Sequence, residues 1–213
     1  GIPAPGQVRD TFGPVLPGCI EALGGVVADV LRIGDDAPAT RDALDSDSAR
    51  GADVVLSTGG TGHSPADHVR PVAEELGGTS IVGSVAMRPG HPALLRGRPG
   101  GRLLGGRPGN PLAAFMAVGT LLEPLLQGAN GQPPSAPVAV RTGEAVRGAG
   151  HSHRLLPARW TDPVARQQLV ASEHTGSAMM RGLAQADVVM VVPPEGVAAG
   201  GELTYLELPW YGR

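Results

Sequence analysis

The sequence predicts an α/β domain, three layers built on a mostly parallel sheet, followed by a small all-β barrel domain. Three observations carry this. Short apolar runs alternate with stretches of helical periodicity as far as residue 126. The texture then changes across GANGQPPSAP, residues 128–137, to short runs of β type with one helical interruption. A glycine-rich loop, STGGTGHSPAD, leaves the end of DVVLS, residues 53–57, an apolar run of the kind a strand buried on both faces requires.

Each element follows in order. Apolar residues from 12 to 23 recur at helical spacing, and Gly24 and Gly25 stop them. VVADVLRI, residues 26–33, is β-branched and predicts a strand. After the loop GDDAPAT, residues 39–49 predict an amphipathic helix with Leu44 inward and Asp42, Asp45 and Asp47 outward. Strand 53–57, the glycine loop, a helix over 67–76 and a strand TSIVGSV over 79–85 come next. Residues 94–96 and 102–104 predict a hairpin around GRPGG, and 112–126 a strongly apolar helix with Asn110 as N-cap and Pro111 in its first turn. Beyond the linker, VAVR, RLLPARW, QQLVA, DVVMVV and LTYLEL predict strands, with a helix near 177–184. The expected units are residues 1–128, a linker 129–136, and a barrel 137–213. The opening GIPAPGQVRD has no helix or strand pattern, so the first strand of the first unit is expected to be missing.

Composition narrows the function classes. A chain of 213 residues, 41% of them hydrophobic, is long enough to bury a real core. A formal net charge of −3 argues against a nucleic-acid binder held by a basic face. All 17 basic residues are arginine, so no mechanism within this chain uses a lysine. The one cysteine, Cys19, has no partner for an intramolecular disulfide and sits in an apolar periodic stretch, which reads as core. No membrane-spanning window or signal segment is read, and the expected location is cytoplasmic.

Two readings of the glycine loop stay open on spacing alone. Successive glycines let backbone N–H groups converge on an anion, and a strand-to-helix connection is where open α/β sheets bind ligands. The same glycines also make an ordinary surface turn. Asp67 either caps the helix after the loop or serves as an oxygen ligand for Mg²⁺. Asp35 and Asp36 follow a predicted strand and are either a solvated turn or part of the same sheet edge. MRPGHP, residues 87–92, puts Arg88 and His91 in a turn where a guanidinium holds an oxyanion or simply faces solvent. His151 and His153 lack a third ligand nearby, so a zinc site is disfavoured.

The order and spacing of DVVLSTGGTGHSPADHV, VAMRPGHP and GRPGNPLAAFMAV resemble the molybdopterin-binding domain of molybdopterin molybdenumtransferases of the MoeA type. In that family the third motif reads Leu-Pro-Gly-Asn-Pro. The tail, with GHSHRLLPARW, EHTGSAMMRGLAQADVVMVVP and GGELTYLELPW, is similar to the family's C-terminal β-barrel. The fold implied is the MogA-like one. The resemblance implies insertion of molybdate into adenylated molybdopterin with release of AMP, Mg²⁺ as cofactor, and a homodimer whose cleft combines two subunits. Carried over by motif, Asp35, Asp67 and Arg88 match functional positions, with Asp35 and Asp67 as metal ligands. Thr58, Gly59, Gly60, Thr61, Gly62 and Ser64 would line the phosphate site, and Arg159 and Ser177 would face it from the barrel. The family's N-terminal domains are not in this sequence, and four motif differences accompany the matches: the Thr-Gly-Asp-Glu strand is absent, Phe12 follows Asp10 and Thr11 where the family has asparagine, Ser84 stands where it has a lysine, and Arg88 replaces a second. The GGTG form also resembles the Mog-type adenylyltransferases, which gives a second reading. A non-catalytic pterin-binding module is the third.

Overall fold

The computed structural model describes residues 10, 12–62, 64, 67–176 and 178–208. The first sheet has four strands in the order β1-β5-β4-β2. β1 (Val54–Thr58) runs parallel to β5 (Arg102–Arg107), which pairs antiparallel with β4 (Leu94–Arg98), which pairs antiparallel with β2 (Thr79–Val82). The predicted hairpin is β4–β5, longer than its apolar signal because the sheet continues past it. Its turn, Pro99–Gly101, needs left-handed backbone at Gly100 (φ 80°) and Gly101 (φ 76°).

Helices cover both faces, giving the expected three layers. On one face Leu104 of β5 packs with Leu44 of α2 (Ala37–Leu44) and with Val69, Val72 and Ala73 of α4 (Val69–Glu75). On the other, Leu56 of β1 packs against Leu23, Val118, Leu122 and Leu126. That face lies under α1 (Leu16–Ala22) and a helical run made of α5 (Pro111–Ala117), a wider π turn and α6 (Glu123–Ala129). By length and composition residues Pro111–Ala129 could cross a membrane, a feature the sequence reading did not credit. Leu112, Phe115, Met116, Leu122 and Leu126 instead fill the protein core.

Three sequence expectations differ from the fold. Among the described strands the first sheet is not mostly parallel: β1–β5 is its one parallel pairing, because the β4–β5 turn and the β2–β4 pairing each reverse the chain direction. The helix expected over 39–49 is two helices, α2 and α3 (Asp47–Gly51). Ser46 interrupts it by turning its side chain to accept from the Ala49 N–H at 3.2 Å. Arg98 closes the C-terminal ends of both, donating to the carbonyls of Leu44 and Ala49 at 2.7 Å each. The strand expected over 26–33 is not in any ladder. A β-branched run specifies an extended chain, but a strand needs a neighbour, and among the described residues none lies beside it. Val26 is 92% exposed, and β1 is an edge strand of its sheet.

The second sheet closes on itself. β6 (Val138–Thr142), β7 (His153–Trp160), β8 (Gln168–Ala171), β9 (Val188–Val192) and β10 (Glu202–Glu207) form the ring β7-β8-β6-β10-β9, completed by β7–β9 pairing. This is the expected small barrel. Alternate residues of β7 set its two faces: Leu156, Ala158 and Trp160 fill the barrel, while Leu155 points outward. Trp160 meets Tyr205 edge-on at 5.3 Å between centroids. The helix expected near 177–184 is α7 (Arg181–Ala184).

A two-residue strand, β3 (Met87–Arg88), ties the units together by pairing in parallel with His153 and Arg154 of β7. Beneath it lies one shared core: Met87, Leu112, Phe115 and Met116 from the first unit, Leu155, Leu183, Val189 and Leu208 from the second. The linker is pinned too. Ser135 donates its N–H to Gln127 Oε1 at 3.0 Å, and its hydroxyl lies 2.9 Å from Gln127 Nε2.

Candidate functional site

The glycine loop leaves the C-terminal end of β1, where the β1–β5 pairing ends at Thr58 opposite Arg107. Gly59 (φ 85°) and Gly60 (φ 67°) make the reversal there in left-handed backbone. The chain after β5 closes in, since a Cβ on Gly109 of RPGNP would lie 3.7 Å from Gly59 Cα. The first and third sequence motifs therefore meet at one sheet edge.

The loop's donors are not equivalent. The Gly59 N–H extends the ladder by donating to the Arg107 carbonyl at 2.9 Å, so it is already used. Gly60 accepts from the Val69 N–H at 3.1 Å, which fixes the loop to the start of α4. Thr61 is 1% exposed and its methyl packs where a Cβ on Gly106 would fall, so this side chain faces the core. Its carbonyl accepts from Arg70 Nε at 2.7 Å, and the same guanidinium reaches the Gly83 carbonyl at 2.7 Å. Burial lowers the Arg70 pKa. Arg70 thus fastens the loop, a role its place on a helix did not advertise. Thr58 and Ser64 are exposed at the loop surface.

Asp67 is a loop clasp rather than a helix cap. Its Oδ2 accepts from the Ser64 N–H at 2.9 Å and its own N–H donates to the Ser64 carbonyl at 2.9 Å. His68 holds the N-cap position of α4 without a side-chain cap. Of the other two acids, Asp36 caps α2 through the Ala39 N–H at 2.8 Å, and Asp35 is exposed. Among the described residues no three His, Cys, Asp or Glu side chains stand together as a metal cage.

Arg88 projects from β3, exposed, beside Arg154. The turn behind it is closed by His91, whose Nδ1 lies 2.9 Å from the Val85 carbonyl. Arg159 is exposed on the same β7, five residues beyond Arg154, which at about 3.3 Å per residue puts it roughly 17 Å along the strand. The fold therefore does not bring Arg159 to Arg88 within one chain. Ser177 lies outside the described residues.

One unanticipated charge sits below the loop. Arg107 occupies the position where the resembling motif has leucine, is 3% exposed, and none of its three guanidinium nitrogens has a partner among the described residues. Burial pushes its pKa down to about 10. Cys19 lies close by, its thiol raised by the same burial.

Comparisons agree with this architecture. Residues 3–128 match the family described as a probable molybdopterin binding domain, and residues 139–208 match the MoeA C-terminal region (domain IV). The molybdopterin molybdenumtransferase of Synechococcus elongatus is 31% identical over 181 residues, 79% of this chain and 45% of that protein. Molybdopterin molybdenumtransferase 2 of Mycobacterium tuberculosis is 29% identical over 224 aligned positions, 96% of this chain and 52% of that protein. A MoeA protein structure from Pyrococcus horikoshii superposes with a TM-score of 0.75 at 26% identity, covering 98% of this chain and 50% of that one. The chain thus spans about half the length of these relatives. With an α/β unit whose glycine loop meets an RPGNP turn, and a closed barrel behind it, the chain belongs to the molybdopterin-binding domain family, in the form joined to the MoeA C-terminal region.

Proposed function

We propose that this chain acts in molybdenum-cofactor biosynthesis, inserting molybdate into adenylated molybdopterin with release of AMP. The observation that carries this reading is the meeting of the STGG loop and the RPGNP turn at the end of β1, rimmed by the Asp67 carboxylate. The functional division follows residues 1–128 for pterin binding and 137–213 for the barrel, joined by 129–136.

In this reading Gly60 and Gly62 present backbone N–H groups to the substrate phosphate, with Thr58 and Ser64 adding hydroxyls. Gly59 acts by its shape, its amide being spent on Arg107. Arg88 offsets phosphate or molybdate charge through a guanidinium that has no acidic partner among the described residues. Asp67, with Asp35, would hold Mg²⁺, which when bound screens the charge of the phosphoanhydride being cleaved. Arg159, on the outer face of β7 and far from Arg88, suits a homodimer in which it reaches the partner's site, together with Ser177. The protein would work in the cytoplasm on a small pterin and molybdate, without nucleic-acid or membrane partners.

Asp67→Asn tests this. The amide oxygen keeps an acceptor for the Ser64 N–H while removing the charge, so the fold should hold and molybdate-dependent AMP release should disappear. Unchanged release would overturn the role of Asp67. The GGTG form favours a second reading, adenylyl transfer to molybdopterin, which would show as ATP consumption by the wild-type chain.

A further inference from the structure

β3 brings two arginines from distant parts of the sequence side by side. Arg88 pairs with Arg154 in parallel register, so their side chains leave the same face of the ladder from strands about 4.8 Å apart. That face is the barrel's inner one: Arg154 is two residues before Leu156 and pairs across β7–β9 with Val192, both part of the barrel filling. The pair therefore stands at one end of the barrel, beside the Val146–Val197 bridge that crosses it.

Nothing acidic among the described residues neutralises the pair. Among the described residues neither arginine has a salt bridge, and the one partner of Arg154 is the Arg147 carbonyl, which accepts from Nη1 at 3.2 Å. Arg154 is half-buried, so this contact orients it while leaving four of its five N–H groups free. Like charges paired across a ladder repel unless something satisfies both. Two guanidinium forks leaving the same face of adjacent strands suit a tetrahedral dianion, each able to bind two of its oxygens.

We propose that Arg154 pairs with Arg88 as a two-guanidinium clamp for a tetrahedral dianionic oxyanion, either a phosphate ester or molybdate, at the barrel end. The proposal rests on the molybdenumtransferase reading only for the identity of the oxyanion. It makes Arg154 a binding residue supplied by the barrel within the same chain, and it puts the anion on the seam between the two units.

Titration calorimetry with sodium molybdate and, separately, sodium phosphate tests it on the whole chain at low ionic strength. Wild type should bind at least one, more weakly as salt rises. Arg154→Gln, whose amide can still donate to the Arg147 carbonyl, should weaken binding roughly tenfold to a hundredfold. Arg88→Gln should do the same, the double variant should lose little more than either single one, and Arg166→Gln in an exposed loop should change nothing. Molybdate binding alone assigns the clamp to the metal oxyanion, and phosphate binding alone assigns it to the ester. No binding by wild type, or equal binding by Arg154→Gln, overturns the proposal. Oxyanion binding that needs Arg154 in a chain that releases no AMP would keep the clamp and sink the transferase reading. Normal AMP release with an unchanged KM in Arg154→Gln would do the reverse.

Discussion

Gly62 lies directly against the Asp67 carboxylate: a Cβ on residue 62 would fall 2.6 Å from Oδ2 and 3.3 Å from Cγ. The carboxylate holds its place in the loop because the residue facing it has no side chain. Gly62→Ala should therefore push Asp67 off the Ser64 N–H. The expected stability loss is about 1 kcal/mol, one hydrogen bond's worth, and under the proposed transferase reading the loss of molybdate-dependent AMP release is much larger. Urea denaturation and an AMP assay measure the two, and a variant with full activity would contradict this account of the loop.

Arg107→Leu should stabilise the chain by on the order of 1–3 kcal/mol, because it removes a buried charge that has no partner among the described residues. The gain should be flat between pH 5 and pH 9. Below a folded-state pKa of about 10 the guanidinium is protonated folded and unfolded alike, so neither state takes up protons on unfolding. Above that pH the folded protein sheds the proton while the unfolded chain keeps it. Wild-type stability then rises with pH and the advantage of leucine narrows. Urea midpoints at pH 6, 8 and 10.5 check both parts.

Gly148→Ala should damage the barrel end. A Cβ there would overlap the Pro194 carbonyl oxygen, which is backbone and has no rotamer into which to move. A cost of about 3 kcal/mol is expected, read as a lower melting temperature together with loss of oxyanion binding at Arg88 and Arg154.

Phe115→Ala should cost about 3–5 kcal/mol, and the chain should still melt in one transition. Phe115 belongs to the core that both units share, so emptying it weakens both together. Calorimetry showing two separated transitions in wild type would contradict a common core.

What the sequence made legible was local. The STGG loop, its strand and its following helix could be read because glycine, β-branched runs and helical spacing act over a few residues. Pairing partners could not be read in the same way. Residues 26–33 announce an extended chain without saying what lies beside it, and two-residue β3 is too short to carry any period. Thr61 looked like a loop hydroxyl until Gly106, 45 positions further along the chain, proved to be the space it packs into. Arg107 was unreadable for the opposite reason: an arginine in a polar, glycine-rich stretch gives no sign of burial. Arg88 and Arg159 both looked like site residues, and only the register of β7 shows that they stand at its opposite ends.

The shared core and pinned linker also limit how the molecule can move. Domains joined by a proline- and glycine-rich connector are ordinarily expected to swing on it, because the surfaces between them are small and wet. Here Phe115, Met116, Leu155 and Val189 would have to be exposed to water before any swing began, and β3 would have to leave β7. A hinge at residues 129–136 is therefore closed to the molecule, and any motion at the edge where the glycine loop meets the RPGNP turn is left to the loops themselves.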